Sequence, residues 1–131
     1  MDVRNLVAVL GFAVLVALFF VYAARGGEKL VAAKKARLEA ARPARAKVLA
    51  TRQGRGALVQ NGRRGPEIVL TLEVEGRVVE VCWYVFELGM PKIQEGATVP
   101  VRVDAEDPTV VFPDADWAEL ETTTWIRLLK V

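Results

Sequence analysis

From Leu6 to Ala24 the chain reads LVAVLGFAVLVALFFVYAA, 19 residues without a charge. At ~1.5 Å per residue, a helix of that length measures roughly 28 Å, about the hydrocarbon thickness of a bilayer. The run is apolar on every face, and the remaining chain is too small to enclose it as a core helix. The pattern predicts a single transmembrane helix within residues 1–25. Val21-Tyr22-Ala23 would suit a signal-peptide cut. The run is nevertheless longer than the usual ~7–15 residue signal core and only Arg4 precedes it, so it is expected to stay as an anchor. Ala13 and Ala17, with Ala24 on the same face, offer small residues for packing on another membrane helix.

Gly26-Gly27 is expected to interrupt the helix at the membrane surface. EKLVAAKKARLEAAR, residues 28–42, then consists of strong helix formers, with Pro43 as the stop. This predicts a basic helical neck over residues 26–43. Arg25, Lys29, Lys34, Lys35 and Arg37 outweigh Arg4 on the other flank. Positive-inside orientation then puts the N-terminus outside and the rest of the chain in the cytoplasm. The same five residues are candidates for contact with anionic lipid headgroups, at ~1 kcal/mol each. A solvated spacer is the competing reading.

After Pro43 the period changes to two. Ile68, Leu70, Leu72 and Val74 alternate with polar residues, and Val79, Val81, Trp83 and Val85 do so beyond Gly76. A two-residue turn at Glu75-Gly76 sets Val74 against Arg77, Leu72 against Val79, Leu70 against Val81 and Ile68 against Trp83. Both apolar faces then coincide. Ala44–Thr51 reads as a first strand, Ala57–Gln60 as its continuation and Asn61-Gly62 as a turn. Thr98–Val103 alternates too, but Pro100 marks it as an edge or bulged strand. Asp104–Pro108 is a turn and Val110–Phe112 a short last strand. The pattern gives a small, mainly antiparallel β-barrel or sandwich of OB or SH3-like size over residues 44–112. Residues 113–131 form a tail read as helix first, capped by Asp114, then an extended end. Trp117 and Trp125 are candidates for a membrane interface or for packing on the barrel.

Charge sharpens this division. Residues 25–65 carry 12 basic and 2 acidic side chains, and residues 66–131 carry 5 basic and 13 acidic. Nucleic acid is not an expected partner, because no aromatic residue is interleaved among the basic ones for stacking. With no histidine and one cysteine, the chain can build neither an internal disulfide nor a Cys/His zinc site nor a histidine triad. Cys82 has no histidine to activate it and reads as structural. Asp104, Glu106, Asp107, Asp114 and Asp116 lack the glycine and closing glutamate of a calcium loop, and turn chemistry accounts for Asp107-Pro108. Arg52, Arg55, Arg63 and Arg64 lie among glycines, but the P-loop pattern is absent. They are expected on a basic interaction loop.

The order of a hydrophobic span, a basic neck, ARAKVLATRQG, LTLEVEGRVVEV and GATVPVRVDAEDPTVV resembles a bacterial family of unknown function with membrane-anchored small β-domains. Gly96, Val99, Val101, Asp104, Asp107 and Pro108 occupy its G-x-x-V-x-V-x-x-D-x-x-D-P motif, and the resemblance covers roughly residues 44–112. The NfeD-like OB domains are similar in the G-x-x-V-x-V element. Two-span relatives carry a second span after the β-domain, where this chain has only its tryptophan-containing tail. The resemblance implies a membrane-tethered module and no reaction. The expected role is a non-enzymatic, single-span accessory or scaffold subunit of a larger multispan complex, without cofactor, metal or small-molecule substrate. The alternative is an autonomous inner-leaflet module that recruits a soluble partner or anionic lipid.

Overall fold

The computed structural model describes residues 3–130, with side-chain surroundings for residues 13–17 and 27–130. The chain divides into two compact units, Met1–Lys35 and Ala36–Val131. Helix α1 (Val3–Ala40) supplies the first unit and, with its last turn, the start of the second. Its backbone runs through Gly26-Gly27 without a break, against expectation. Two glycines cost only about 1 kcal/mol each in a helix, and strong helix formers lie beyond them. Among the described residues no helix is long and apolar enough to cross a membrane. Of the run Leu6–Ala24, only the side chains of residues 13–17 fall among those described, and they are exposed. The transmembrane expectation otherwise lies outside the described residues.

The second unit is a nearly closed antiparallel barrel. Its strands are β1 (Arg42–Gln60), β2 (Arg63–Val74), β3 (Arg77–Val85), β4 (Thr98–Val103), β5 (Val111–Pro113) and β6 (Ala118–Leu120). They lie in the order β5-β4-β1-β2-β3-β6. A 3-10 turn, Glu87–Ile93, follows β3, and a short helix, α2 (Thr122–Leu129), closes the chain.

The β2–β3 register is the one the alternation demands, with Val74 opposite Arg77 and Ile68 opposite Trp83. Glu75 and Gly76 both adopt positive φ, 52° and 76°, the conformation of a type I′ hairpin turn. One-sided burial follows: Leu70, Leu72, Val81 and Trp83 fill the interior with Val48, Val99, Val101, Val103 and Phe112.

Pro100 does not make β4 an edge strand, because β4 lies between β1 and β5. The β4–β5 ladder begins only at Val101, and Pro100 meets β5 through its carbonyl, which accepts from Asp114 N at 3.1 Å. Carbonyl and nitrogen of one strand residue point the same way, so the missing N–H falls where the ladder has ended.

The tail reverses the expected order. Strand β6 comes first, and the three threonines open α2. Glu121, not Asp114, caps the helix: its carboxylate accepts from Thr123 N at 2.8 Å and Thr124 N at 3.2 Å. This local gain overrides the β preference of threonine.

Trp117 and Trp125 are buried in the barrel rather than set at an interface. Trp117 packs edge-on to Trp83 at 6.5 Å, and Trp125 stacks on Phe112 at 5.2 Å. Gly89 permits the first of these. A Cβ there would lie 2.3 Å from the Trp117 ring and 3.0 Å from its carbonyl oxygen. Gly89→Ala is therefore expected to lower unfolding stability by about 1–3 kcal/mol, read from the denaturant midpoint.

Candidate functional site

The feature that stands out from the barrel is an arm. Beyond Gln53, β1 bulges at Gly54-Arg55-Gly56 and re-pairs with β2 from Ala57↔Pro66 to Gln60↔Arg63. Asn61 and Gly62, with φ of 52° and 74°, turn the chain. Strand β3 pairs with β2 only from Glu67 onward. The hairpin end, residues 57–66, is thus two strands wide and mostly exposed.

Glu67 closes the bulge. Its Oε2 accepts from Gly56 N at 2.9 Å. A Cβ on Gly56 would lie 2.6 Å from that oxygen, and one on Gly54 2.8 Å from the Glu67 carboxyl carbon. Both glycines thus make room for the carboxylate that satisfies the bulged backbone.

The arm gathers the predicted arginines. Residues 50–66 contain Arg52, Arg55, Arg63 and Arg64 and no acid. Arg63 lies over the ring of Phe86, 4.5 Å from its centroid, and Nη1 donates to the Asp116 carbonyl at 3.4 Å. Arg52 meets Glu80 at 3.5 Å with both side chains exposed, a pair of little energetic weight. Arg55 and Arg64 have no ion pair among the described residues. Beside the arm's turn, on its β2 side, a cleft of about 410 Å³ is lined by Gly62, Arg63, Arg64, Phe86, Glu87 and Leu88. Leu88 is 75% exposed and Val59, on the arm, 71%. Phe86 and Leu88 lie outside the period-2 pattern and carried no signal in the sequence.

The outer edge of β1 is the second element. Strand β4 pairs with it from Arg42 to Lys47. The following loop continues through Val48 N to Ala97 O at 2.8 Å and Gly96 N to Val48 O at 2.7 Å. From Leu49 to Gln60 no strand among the described residues pairs with that edge. An unpaired edge carries backbone donors and acceptors ready for another strand.

Other candidate residues have different roles. Arg37 does not face solvent as a lipid-binding cation. Its Nε donates to Asp104 Oδ1 at 2.7 Å and its Nη2 to Oδ2 at 2.8 Å. Asp104 is 1% exposed and also accepts from Glu106 N at 3.2 Å and Asp107 N at 2.9 Å. Burial pushes its carboxyl upward, but Arg37 and these backbone N–H groups prevail and hold it below the usual carboxylate range. Asp107 accepts from Thr109 N and Oγ1, an Asx-type turn, and Asp114 meets Arg102 at 3.4 Å. These pairings leave no carboxylate cluster for a metal among the described residues. Lys29 and Lys35 are exposed and Lys34 is half-buried. Ala13 and Ala17 are exposed, while the side chains of Ala24 and Arg25 lie outside the described residues.

Cys82 lines a smaller cleft of about 170 Å³ with Glu80, Thr109, Thr124 and Arg127 among its neighbours. Burial, with Glu67, Glu121 and Glu80, pushes its thiol above the usual range. It is therefore protonated at neutral pH and a poor nucleophile.

The exposed guanidinium groups of Arg55 and Arg64 have the geometry and charge to pair with anionic groups. Compared with family models, curated proteins and solved structures, the chain matches none.

Proposed function

We propose that this chain is a non-enzymatic, single-span membrane scaffold. Helix α1 holds it in a bacterial inner membrane, and its cytoplasmic barrel docks a partner within a larger membrane protein complex. One observation carries this reading: the charge-free run of residues 6–24 lies inside one unbroken helix, Val3–Ala40. A run of that length and apolarity suits a bilayer and little else. The resemblance to membrane-anchored β-domain proteins points the same way. Ala13, Ala17 and Ala24 would pack on a partner's helix.

The alternative, an inner-leaflet module that recruits a soluble partner or anionic lipid, draws support from Arg55 and Arg64, which have no ion pair among the described residues.

Alkaline carbonate washing of native membranes, with protease protection of a C-terminal tag, tests the anchor. The chain is expected to stay in the pellet, with the tag cleaved only from the cytoplasmic side. Release into the wash would overturn the reading.

A further inference from the structure

We propose that the arm binds an extended acidic segment of a partner protein, which adds as a strand to the free edge of β1. The assignment rests on the scaffold reading and names the chemistry of its partner.

Two observations converge. The first is the edge itself, free of a strand partner from Leu49 to Gln60. Strand addition gains its affinity from main-chain hydrogen bonds along such an edge. The second is charge. Four arginines and no acid occupy residues 50–66. Glu67 and Glu80, the nearest carboxylates of β2 and β3, are directed to Gly56 N and Arg52. Neither pairs with Arg55 or Arg64, which have no ion pair among the described residues. The cleft lined by Arg63, Arg64, Phe86, Glu87 and Leu88 lies on the opposite, β2 side of the arm and is no part of this site.

Arginines on an open edge also exclude wrong partners. A neutral or basic strand gains the same backbone bonds but loses on charge, so the edge resists pairing with a second arm. A lipid headgroup would satisfy the arginines. It could not use the backbone edge.

The test uses the full chain in neutral-lipid nanodiscs and a fluorescent peptide alternating valine and glutamate. The same peptide with lysine for glutamate is the control. The acidic peptide is expected to raise polarisation, and amide exchange across residues 49–60 should slow about tenfold or more where new hydrogen bonds form. Arg55→Glu with Arg64→Glu should weaken binding about tenfold or more, and both side chains are exposed, so the fold should persist. Equal binding of the lysine peptide, or unchanged binding by the double variant, would overturn the proposal. So would binding that leaves exchange at residues 49–60 unaltered. Protection of those residues by phosphatidylglycerol nanodiscs alone, with no peptide effect, would assign the arm to lipid instead. A chain that resists carbonate extraction but ignores the acidic peptide refutes the arm's role; one released by carbonate refutes the scaffold reading.

Discussion

Arg37→Met should lower the unfolding free energy of the full chain in detergent by about 3 kcal/mol at neutral pH, the lower end for breaking a buried ion pair. The lower end applies because the Arg37 side chain keeps 18% exposure while that of Asp104 has none. The variant leaves a buried carboxylate facing two backbone N–H groups and no cation. Asp104→Asn should cost less, about 2 kcal/mol, because Arg37 retains Glu106 at 3.1 Å as an alternative partner. The measurement is the denaturant midpoint at constant slope.

Its pH dependence separates this account from simple loss of packing. In the native chain the Asp104 carboxyl is held below its ordinary value. A depressed folded value means the unfolded state binds the proton more readily. The stabilisation is therefore complete above about pH 4, the unfolded carboxylate range, and is lost as pH falls through the folded value. Without Arg37 the depression shrinks, because burial opposes it and only the backbone N–H groups of Glu106 and Asp107 remain to hold the carboxyl down. Acidification should thus narrow the gap between native chain and variant. A gap that stays constant down to acid pH would contradict the assignment.

Trp83→Ala should cost about 3–5 kcal/mol. The indole is 0% exposed, and its Nε1 donates to the Val111 carbonyl at 3.0 Å. Strands β5 and β6 end the sheet order, so this bond links β3 to β5 across the barrel's interior. Trp83→Phe preserves an aromatic ring beside Trp117 but leaves the Val111 carbonyl without that donor. It should cost about 1–3 kcal/mol. If the phenylalanine variant matches the native midpoint, the indole bond contributes nothing and barrel closure rests on shape alone.

What sequence could and could not reveal follows from the range of the forces involved. The β2–β3 register was legible because one buried face imposes strict alternation and a slip of one residue would invert it. Strand β4 was legible for the same reason, through Val99, Val101 and Val103. Strand β6 is three residues long, too short to show a period. Helix α2 begins on three threonines, and only the Glu121 cap explains why they are helical. Arg37 and Asp104 lie 67 residues apart. Each has a plausible local role, as a basic neck residue and a turn residue, and only the fold brings them together. The arginines of the arm were visible as a basic cluster but were expected on a loop, where the structure instead continues β1 and β2 through them. The free β1 edge and the Phe86–Leu88 cleft beside them were not visible, because both depend on where β3 and β4 stop pairing.

The scaffold claim is tested most directly by mild-detergent extraction of native membranes, followed by a native gel and mass spectrometry of the band that holds this chain. The account predicts co-migration with a defined set of multispan proteins, and loss of that co-migration when Ala13 and Ala17 are replaced by bulky residues. A chain that migrates alone would contradict it.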